Sequence, residues 1–61
     1  MRLIRIKQVM EQTGLGRSCI YNYMADGRFP KSVKLGPRLV AWVEGEVQAW
    51  IEERIAARSN D

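Results

Sequence analysis

The chain has 61 residues, 46% of them hydrophobic and 28% charged, so it forms one small domain rather than a disordered tail. It has no histidine and one cysteine, Cys19, which excludes an internal disulfide and a zinc site of cysteine and histidine ligands. No apolar run approaches the roughly 18 residues of a membrane span, and no hydrophobic signal region follows the charged N-terminus. We therefore expect a single domain over residues 1–61 in the cytoplasm, without a membrane partner, with Cys19 as a small packing residue in a reducing compartment.

The net charge of +3 is unevenly distributed along the chain. Residues 1–42 hold eight basic and two acidic side chains, a net charge of +6, whereas residues 43–61 have a net charge of −3. A basic body favours a polyanionic partner such as nucleic acid. The same charges would also suit a solvated surface that only keeps the protein soluble, so charge alone leaves both interpretations open.

The first elements predicted in chain order are a short strand and a short helix. The opening "RLIRI" is long enough only for an edge strand or a lead-in to the helix. From Ile6, apolar residues recur at helical spacing at Val9 and Met10, ending at Thr13. Gly14 follows where a left-handed C-terminal cap is favoured. These residues predict a first helix that packs its apolar side in the core.

A second helix is predicted after the glycine-rich turn at 14–16. Ile20 and Met24, with Tyr23 beside them, are expected to face the core, and Gly27 ends the helix by adopting a positive φ. The opposite face carries Arg17, Ser18, Tyr21, Asn22 and Ala25. Two short helices joined by a glycine-containing turn are typical of a helix-turn-helix, although any helical hairpin can produce the same pattern.

The segment "SVKLGPRLVAW" changes to the spacing of β-strands. Val33 and Leu35 are expected on one face and Lys34 on the other, with Gly36–Pro37 as the turn of a two-stranded hairpin. Lys34 and Arg38 then lie at or beside the tip of this ribbon. An exposed lysine on an edge strand also protects against aggregation, so these cations have a second interpretation.

The last predicted element is a helix from Glu44 to about Arg58. Its apolar stripe is formed by Val43, Val47, Trp50, Ile51 and Ile55. The acidic residues near its start and the arginines near its end suit the helix dipole. Trp42 and Trp50 are the expected core anchors, each able to bury about 200 Å². Residues 58–61 are expected to fray.

The residues give little support for catalysis. Histidine is absent, Ser18, Ser32 and Ser59 have no evident base, and most carboxylates are expected on a solvated face of the last helix. "GLG" lacks the remaining spacing and the preceding strand of a phosphate-binding loop. We therefore expect neither an enzyme nor a cofactor, metal or small-molecule ligand.

The same residues suit duplex DNA. Residues 17–25 occupy the position of a recognition helix, with Arg17 at its N-terminus able to bind a phosphate or a guanine edge. Ser18, Tyr21 and Asn22 can donate to phosphates, and Asn22 can also pair with an adenine edge. The free N–H groups of the helix N-terminus favour a phosphate. Alternatively, the side chain of Tyr21 lies across the surface of the core and has no role in DNA binding.

Four further cations complete the candidate surface. Lys34 and Arg38 on the hairpin are expected to reach a neighbouring DNA backbone or minor groove. Arg28 and Lys31, on either side of "FP", either extend this surface or only solubilise a turn. The candidate DNA-binding residues are therefore Arg17, Ser18, Tyr21, Asn22, Arg28, Lys31, Lys34 and Arg38.

The motifs "TGLGRSCIY", "GRFPKSVKLG" and "EVQAWIEERIAAR" closely resemble those of the AlpA-type phage and prophage regulators, over residues 2–58. That family is similar to the wider excisionase and MerR-like winged-helix group. The resemblance implies a small DNA-binding regulator encoded on a mobile element, often acting on an integrase or excision function. The resemblance also implies which residues contact DNA. In the recognition helix these are Arg17, Ser18, Tyr21 and Asn22, and in the wing they are Lys34 and Arg38.

This chain departs from the family pattern at several positions. Relatives commonly have serine at position 16, threonine at 19, a basic residue at 22 and Gly-Gly at 36–37. Gly16 is a weaker helix cap than serine, and Asn22 removes a phosphate-binding charge. Gly36–Pro37 implies a stiffer wing.

We therefore expect a mainly α fold with a small β-hairpin, a winged helix-turn-helix of three helices and a two-stranded wing. Its expected function is sequence-specific binding of double-stranded DNA as a transcriptional regulator. One alternative is an architectural recombination directionality factor that bends DNA for an integrase. Another is a protein-interaction module that pairs through its last helix. A homodimer and adjacent copies on DNA both remain open.

Overall fold

A computed structural model describes residues 1–58 of the chain. The elements run in the order β1 (Leu3–Ile4), α1 (Ile6–Thr13), α2 (Arg17–Ala25), β2 (Val33–Gly36), β3 (Leu39–Val43) and α3 (Glu44–Arg58). The predicted three helices and hairpin are confirmed. Arg58 is the last residue of α3, and residues 59–61, on which the prediction of fraying mainly falls, lie outside the described part.

The turn between α1 and α2 is held by local hydrogen bonds. Gly14 adopts a φ of 75°, and its N–H donates to the carbonyl of Met10 at 2.8 Å. The Thr13 hydroxyl donates to the carbonyl of Val9 at 2.8 Å and accepts from the N–H of Leu15 at 3.2 Å. Because glycine takes a left-handed conformation at little cost, α1 ends here and α2 begins three residues later.

A second glycine ends α2. Gly27 has a φ of 72°, and its N–H donates to the carbonyl of Met24 at 3.1 Å. The N–H of Arg28 reaches back to the carbonyl of Tyr23 at 2.8 Å, which completes a Schellman motif. The length of α2 is therefore set by its own sequence.

The three strands form one antiparallel sheet with β3 at its centre, in the order β1-β3-β2. The paired residues are Leu3 with Val43, Ile4 with Trp42, Val33 with Ala41, Lys34 with Val40, and Gly36 with Leu39. The register shifts between Lys34 and Gly36, so Leu35 is an extra residue in β2. The segment "RLIRI" is thus an edge strand, one of its two predicted fates.

The core is a cluster of large apolar side chains, each of which comes from a different helix, strand or connection. Its members are Ile4 of β1, Val9 of α1, Ile20 of α2, Phe29 of the α2–β2 connection, Trp42 of β3 and Val47 of α3. Strand β2 supplies no member. Trp50 and Ile51 of α3 are half-buried and pack against this cluster from outside.

Several apolar side chains remain exposed. Val33 and Leu35, in the edge strand β2, are 38% and 46% exposed. Ile55 is 51% exposed, so the buried stripe of α3 ends at Ile51. At 1.5 Å per residue the 15-residue α3 is roughly 22 Å long, which makes it longer than α1 and α2. Val43 ends β3 and does not belong to the helix.

Glu44, expected on a solvated face, is half-buried at the junction of three segments. Its carboxylate accepts from Gln12 Nε2 at 3.1 Å and lies 3.7 Å from the guanidinium of Arg2. Its N–H donates to the carbonyl of Arg2 at 2.7 Å, and Gln48 Nε2 donates to Gln12 Oε1 at 2.7 Å. These bonds fix the start of α3 against α1 and the N-terminal strand.

Replacing Trp50 by alanine should largely unfold the domain. The Trp50 ring lies edge-on to Phe29 at 4.9 Å, and its Nε1 donates to the carbonyl of Arg28 at 2.7 Å. Losing a large packed aromatic costs about 3 kcal/mol, against a total stability of roughly 3–5 kcal/mol for a domain this small. Thermal melting followed by circular dichroism measures the loss.

Ile55→Ala is the matched control for that variant on the same helix. Because Ile55 is half-exposed, its truncation should cost less than about 1 kcal/mol. Equal melting temperatures for the two variants would contradict the proposed contribution of Trp50 to packing against the core cluster.

Candidate nucleic-acid interface

Helix α2 has one face in the core and one in solvent. Ile20 is fully buried, and Tyr23 and Met24 are half-buried beside it. The exposed side chains are Arg17, Ser18, Tyr21, Asn22 and Ala25, which we call the outer face of α2. The predicted division of this helix is confirmed. Cys19 lies at the boundary, half-buried, as expected for a packing residue.

Tyr21 connects the outer face to the sheet. Its ring is 38% exposed and lies edge-on to the ring of Trp42, with centroids 6.3 Å apart. The guanidinium carbon of Arg17 lies 5.9 Å from the centroid of the same tyrosine ring. The contact with Trp42 meets in part the prediction that Tyr21 lies across the surface of the core, while more than a third of the residue stays exposed.

The N-terminus of α2 leaves its first N–H groups open to an acceptor. Gly16 is the N-cap, in extended geometry with a φ of −77°, and it makes no side-chain capping bond. The first turn of any helix has N–H groups without intrahelical acceptors, and its dipole favours an anion. Since Arg17 and Ser18 extend from this turn, positive charge and donors are concentrated at one end of the outer face.

The hairpin places a basic segment beside α2. Lys31, Lys34 and Arg38 are all exposed, and residues 27–43 include no aspartate or glutamate. Lys34 pairs with Val40, which is two residues before Trp42 in β3. Because side chains alternate along a strand, Lys34, Val40 and Trp42 share the sheet face that is turned toward the helices. Lys34 thus lies on the same side of the sheet as α2.

Arg28 is engaged within the protein. Its guanidinium pairs with Asp26 at 2.9 Å and lies over the ring of Tyr23 at 5.0 Å, while its carbonyl accepts from Trp50. Tyr23 and Tyr21 are two positions apart on a helix, which places them on nearly opposite sides. The structure therefore places Arg28 on the α3 side of α2, away from the outer face.

Neither a cluster of metal ligands nor a membrane-spanning helix occurs in the described part of the chain. Within residues 1–58, no group of three or more histidine, cysteine, aspartate or glutamate side chains is arranged to hold a metal ion. Among the helices of that same part of the chain, none has the length and apolarity needed to span a membrane.

Two short helices joined by a three-residue turn, followed by a β-hairpin and a closing helix, define a winged helix-turn-helix domain. Residues 2–55 match the family model described as "Prophage CP4-57 regulatory protein (AlpA)". The chain belongs to the AlpA family.

Two known proteins are similar to this chain over most of its length. It is 47% identical over 57 residues to "Uncharacterized protein ORF88" of Enterobacteria phage P4, a match that covers 93% of this chain and 65% of that protein. It is 33% identical over 60 residues to the "DNA-binding transcriptional activator AlpA" of Escherichia coli K12, over 88% of this chain and 86% of that protein. The chain thus spans slightly less than two thirds of the phage protein and most of the bacterial one.

Arg28→Ala should lower the free energy of unfolding by about 1 kcal/mol, because it removes a ring contact and a solvent-screened ion pair. Lys31→Ala removes the same charge from a nearby exposed position that shows no ion pair or ring contact within residues 1–58, and should leave stability unchanged. Urea titration monitored by tryptophan fluorescence compares the two variants. If both unfold at the same urea concentration as the wild type, Arg28 has no structural role.

Proposed function

We propose that the chain is a sequence-specific, duplex-DNA-binding transcriptional regulator of a phage or other mobile element, acting in the cytoplasm. Helix α2 enters the major groove, and the β2–β3 hairpin lies on the adjacent backbone or minor groove. The observation that carries the proposal is the outer face of α2, which presents polar side chains on a helix whose opposite side is anchored by the buried Ile20. The Escherichia coli relative, named as a DNA-binding transcriptional activator, supports the same activity.

The outer face offers the donors that a DNA-reading helix needs. Arg17 can donate two parallel hydrogen bonds to a guanine edge or bind a phosphate, and Asn22 can pair with the edge of an adenine. Ser18 and Tyr21 donate to phosphates, which fix the register of the helix in the groove. The contact between Tyr21 and Trp42 restrains the tyrosine ring before DNA arrives, so less side-chain entropy is lost on binding.

The hairpin supplies the second set of contacts. Lys31, Lys34 and Arg38 lie in a segment without carboxylates, so nothing in residues 27–43 repels a phosphate. Each cation that neutralises a phosphate adds to the salt dependence of binding. Arg28 is already paired with Asp26, and we assign it chiefly to holding the end of α2.

A second candidate function is an architectural factor that bends DNA for an integrase. The exposed Leu35 and Leu39 of the hairpin favour it, because apolar side chains on a DNA-facing ribbon are typical of proteins that deform the duplex. A promoter reporter measured with and without the integrase distinguishes the two functions. A regulator changes reporter output without an integrase, whereas an architectural factor acts only when the integrase is present.

Arg17→Ala should weaken DNA binding at least about ten-fold, because it removes a charged donor from the start of the recognition helix. The thermal melt should be nearly unchanged, since Arg17 is exposed. Gel-shift titrations at several salt concentrations measure both effects, and the slope of log K against log salt should fall by about one if Arg17 binds a phosphate. Arg54→Ala, the same loss of charge on the exposed surface of α3, should change the affinity little.

Selection of bound duplexes from a random pool tests sequence specificity directly. We expect enrichment of a short sequence, with inverted half-sites if the protein binds as a homodimer and direct repeats if adjacent copies bind. If the pool stays random after several rounds, the protein has no sequence specificity and binds DNA only non-specifically. Absence of affinity for any duplex at low salt would contradict both DNA-binding functions and favour a protein-interaction module.

A further inference from the structure

The tip of the hairpin combines apolar side chains that the core does not use. Leu35 is 46% exposed and Leu39 38% exposed, and Pro37 between them is also exposed. We call these three residues the apolar tip. Single exposed apolar residues are common on proteins, but three within a five-residue turn of an edge hairpin form a local patch.

The fold does not require leucine at these positions. Strand β2 supplies no residue to the core, and the bulge at Leu35 places an extra residue outside the regular pairing with β3. Polar β-formers such as threonine would satisfy the same backbone geometry and lower the risk of aggregation. The leucines are therefore better explained by something that covers them.

Charge indicates what that partner is. The apolar tip is flanked by Lys31, Lys34 and Arg38, and no carboxylate occurs in residues 27–43. Two copies docking tip to tip would bring two sets of cations together, which is unfavourable. A surface that attracts cations and also accepts apolar side chains is the DNA minor groove, where base steps lie between two rows of phosphates.

We propose that the apolar tip acts as a wedge that enters the minor groove beside the α2 site, partly unstacks one base step and bends the duplex. Lys34 and Arg38 hold the flanking phosphates while Leu35 and Leu39 replace part of the lost stacking. This inference rests on the proposed DNA binding and adds a mode of recognition to it. Pyrimidine–purine steps unstack most readily, so the tip selects such a step through its deformability, without hydrogen bonds to the bases.

The test uses the full chain with Leu35→Thr and Leu39→Thr combined. Threonine keeps the strand propensity while most of the apolar surface is lost. The probe is a duplex of about four helical turns carrying the sequence recovered by selection, labelled at both ends for energy transfer, with 2-aminopurine at single steps to report unstacking. Wild type should shorten the end-to-end distance and raise the 2-aminopurine emission at one step.

The double variant should bind the same duplex roughly ten-fold more weakly and leave it straight at saturation. The slope of affinity against salt should stay unchanged, because the phosphate contacts remain. Lys34→Ala should show the converse behaviour, with a reduced salt slope and an unchanged bend at saturation. Thermal melts establish that each variant is folded, and Leu35→Thr alone, at the more exposed leucine, serves if the double variant is not.

Leu3→Thr is the matched control. Leu3 is 41% exposed in the same sheet, but it pairs with Val43 at the opposite end of β3 from the tip. The same chemical change there should alter neither bending nor affinity.

If the double variant bends the duplex as the wild type does, the proposed wedge is wrong. The wedge is also wrong if the wild type binds through Arg17 and leaves the duplex straight, and in that case the proposed function stands. A wild type without affinity for any duplex removes the proposed function itself.

Discussion

Trp42 is fully buried in the central strand, and the other elements are held in place by the cluster around it. Ile4 is its partner across the sheet, while Val9, Ile20 and Val47 each bring one helix into the same cluster. A domain of this size buries only about 60% of the surface of its unfolded chain, so few contacts duplicate one another. The orientation of α2 therefore depends on Ile20, its one fully buried residue, with Tyr23 and Met24 packed beside it.

The same tryptophan connects stability to the proposed interface. Tyr21 contacts the ring of Trp42 on one side and the guanidinium of Arg17 on the other, so a residue of the outer face is restrained by the core. The indole N–H of Trp42 is buried, with no acceptor among residues 1–58. Changes at position 42 should accordingly affect both the fold and the outer face.

Local signals in the sequence predicted the helices and the two faces of α2, because Gly14, Gly27 and the spacing around Ile20 act over only a few residues. Features that depend on distant partners were missed. The bond from Trp50 to the carbonyl of Arg28 joins residues 22 apart, and the bonds that tie Glu44 to Gln12 join residues 32 apart. The exposure of Ile55 depends on how the end of α3 packs in the folded domain, which periodicity does not encode. The site residues were proposed from chemistry and resemblance, and only their placement is set by the fold.

Under the proposed function, the Schellman motif at Gly27 limits how much DNA sequence one copy can recognise through α2. Nine residues of helix rise roughly 13 Å, which corresponds to about four base pairs at 3.4 Å per step. A sequence of four base pairs recurs by chance about once in every 256 base pairs. A genome therefore contains a very large number of chance matches to it. Because α2 cannot lengthen, additional specificity has to come from repeated copies of the four-base-pair sequence or from the deformability of the DNA between these copies. Regulation by so small a domain would then depend on the spacing and number of its sites more than on the affinity of any one of them.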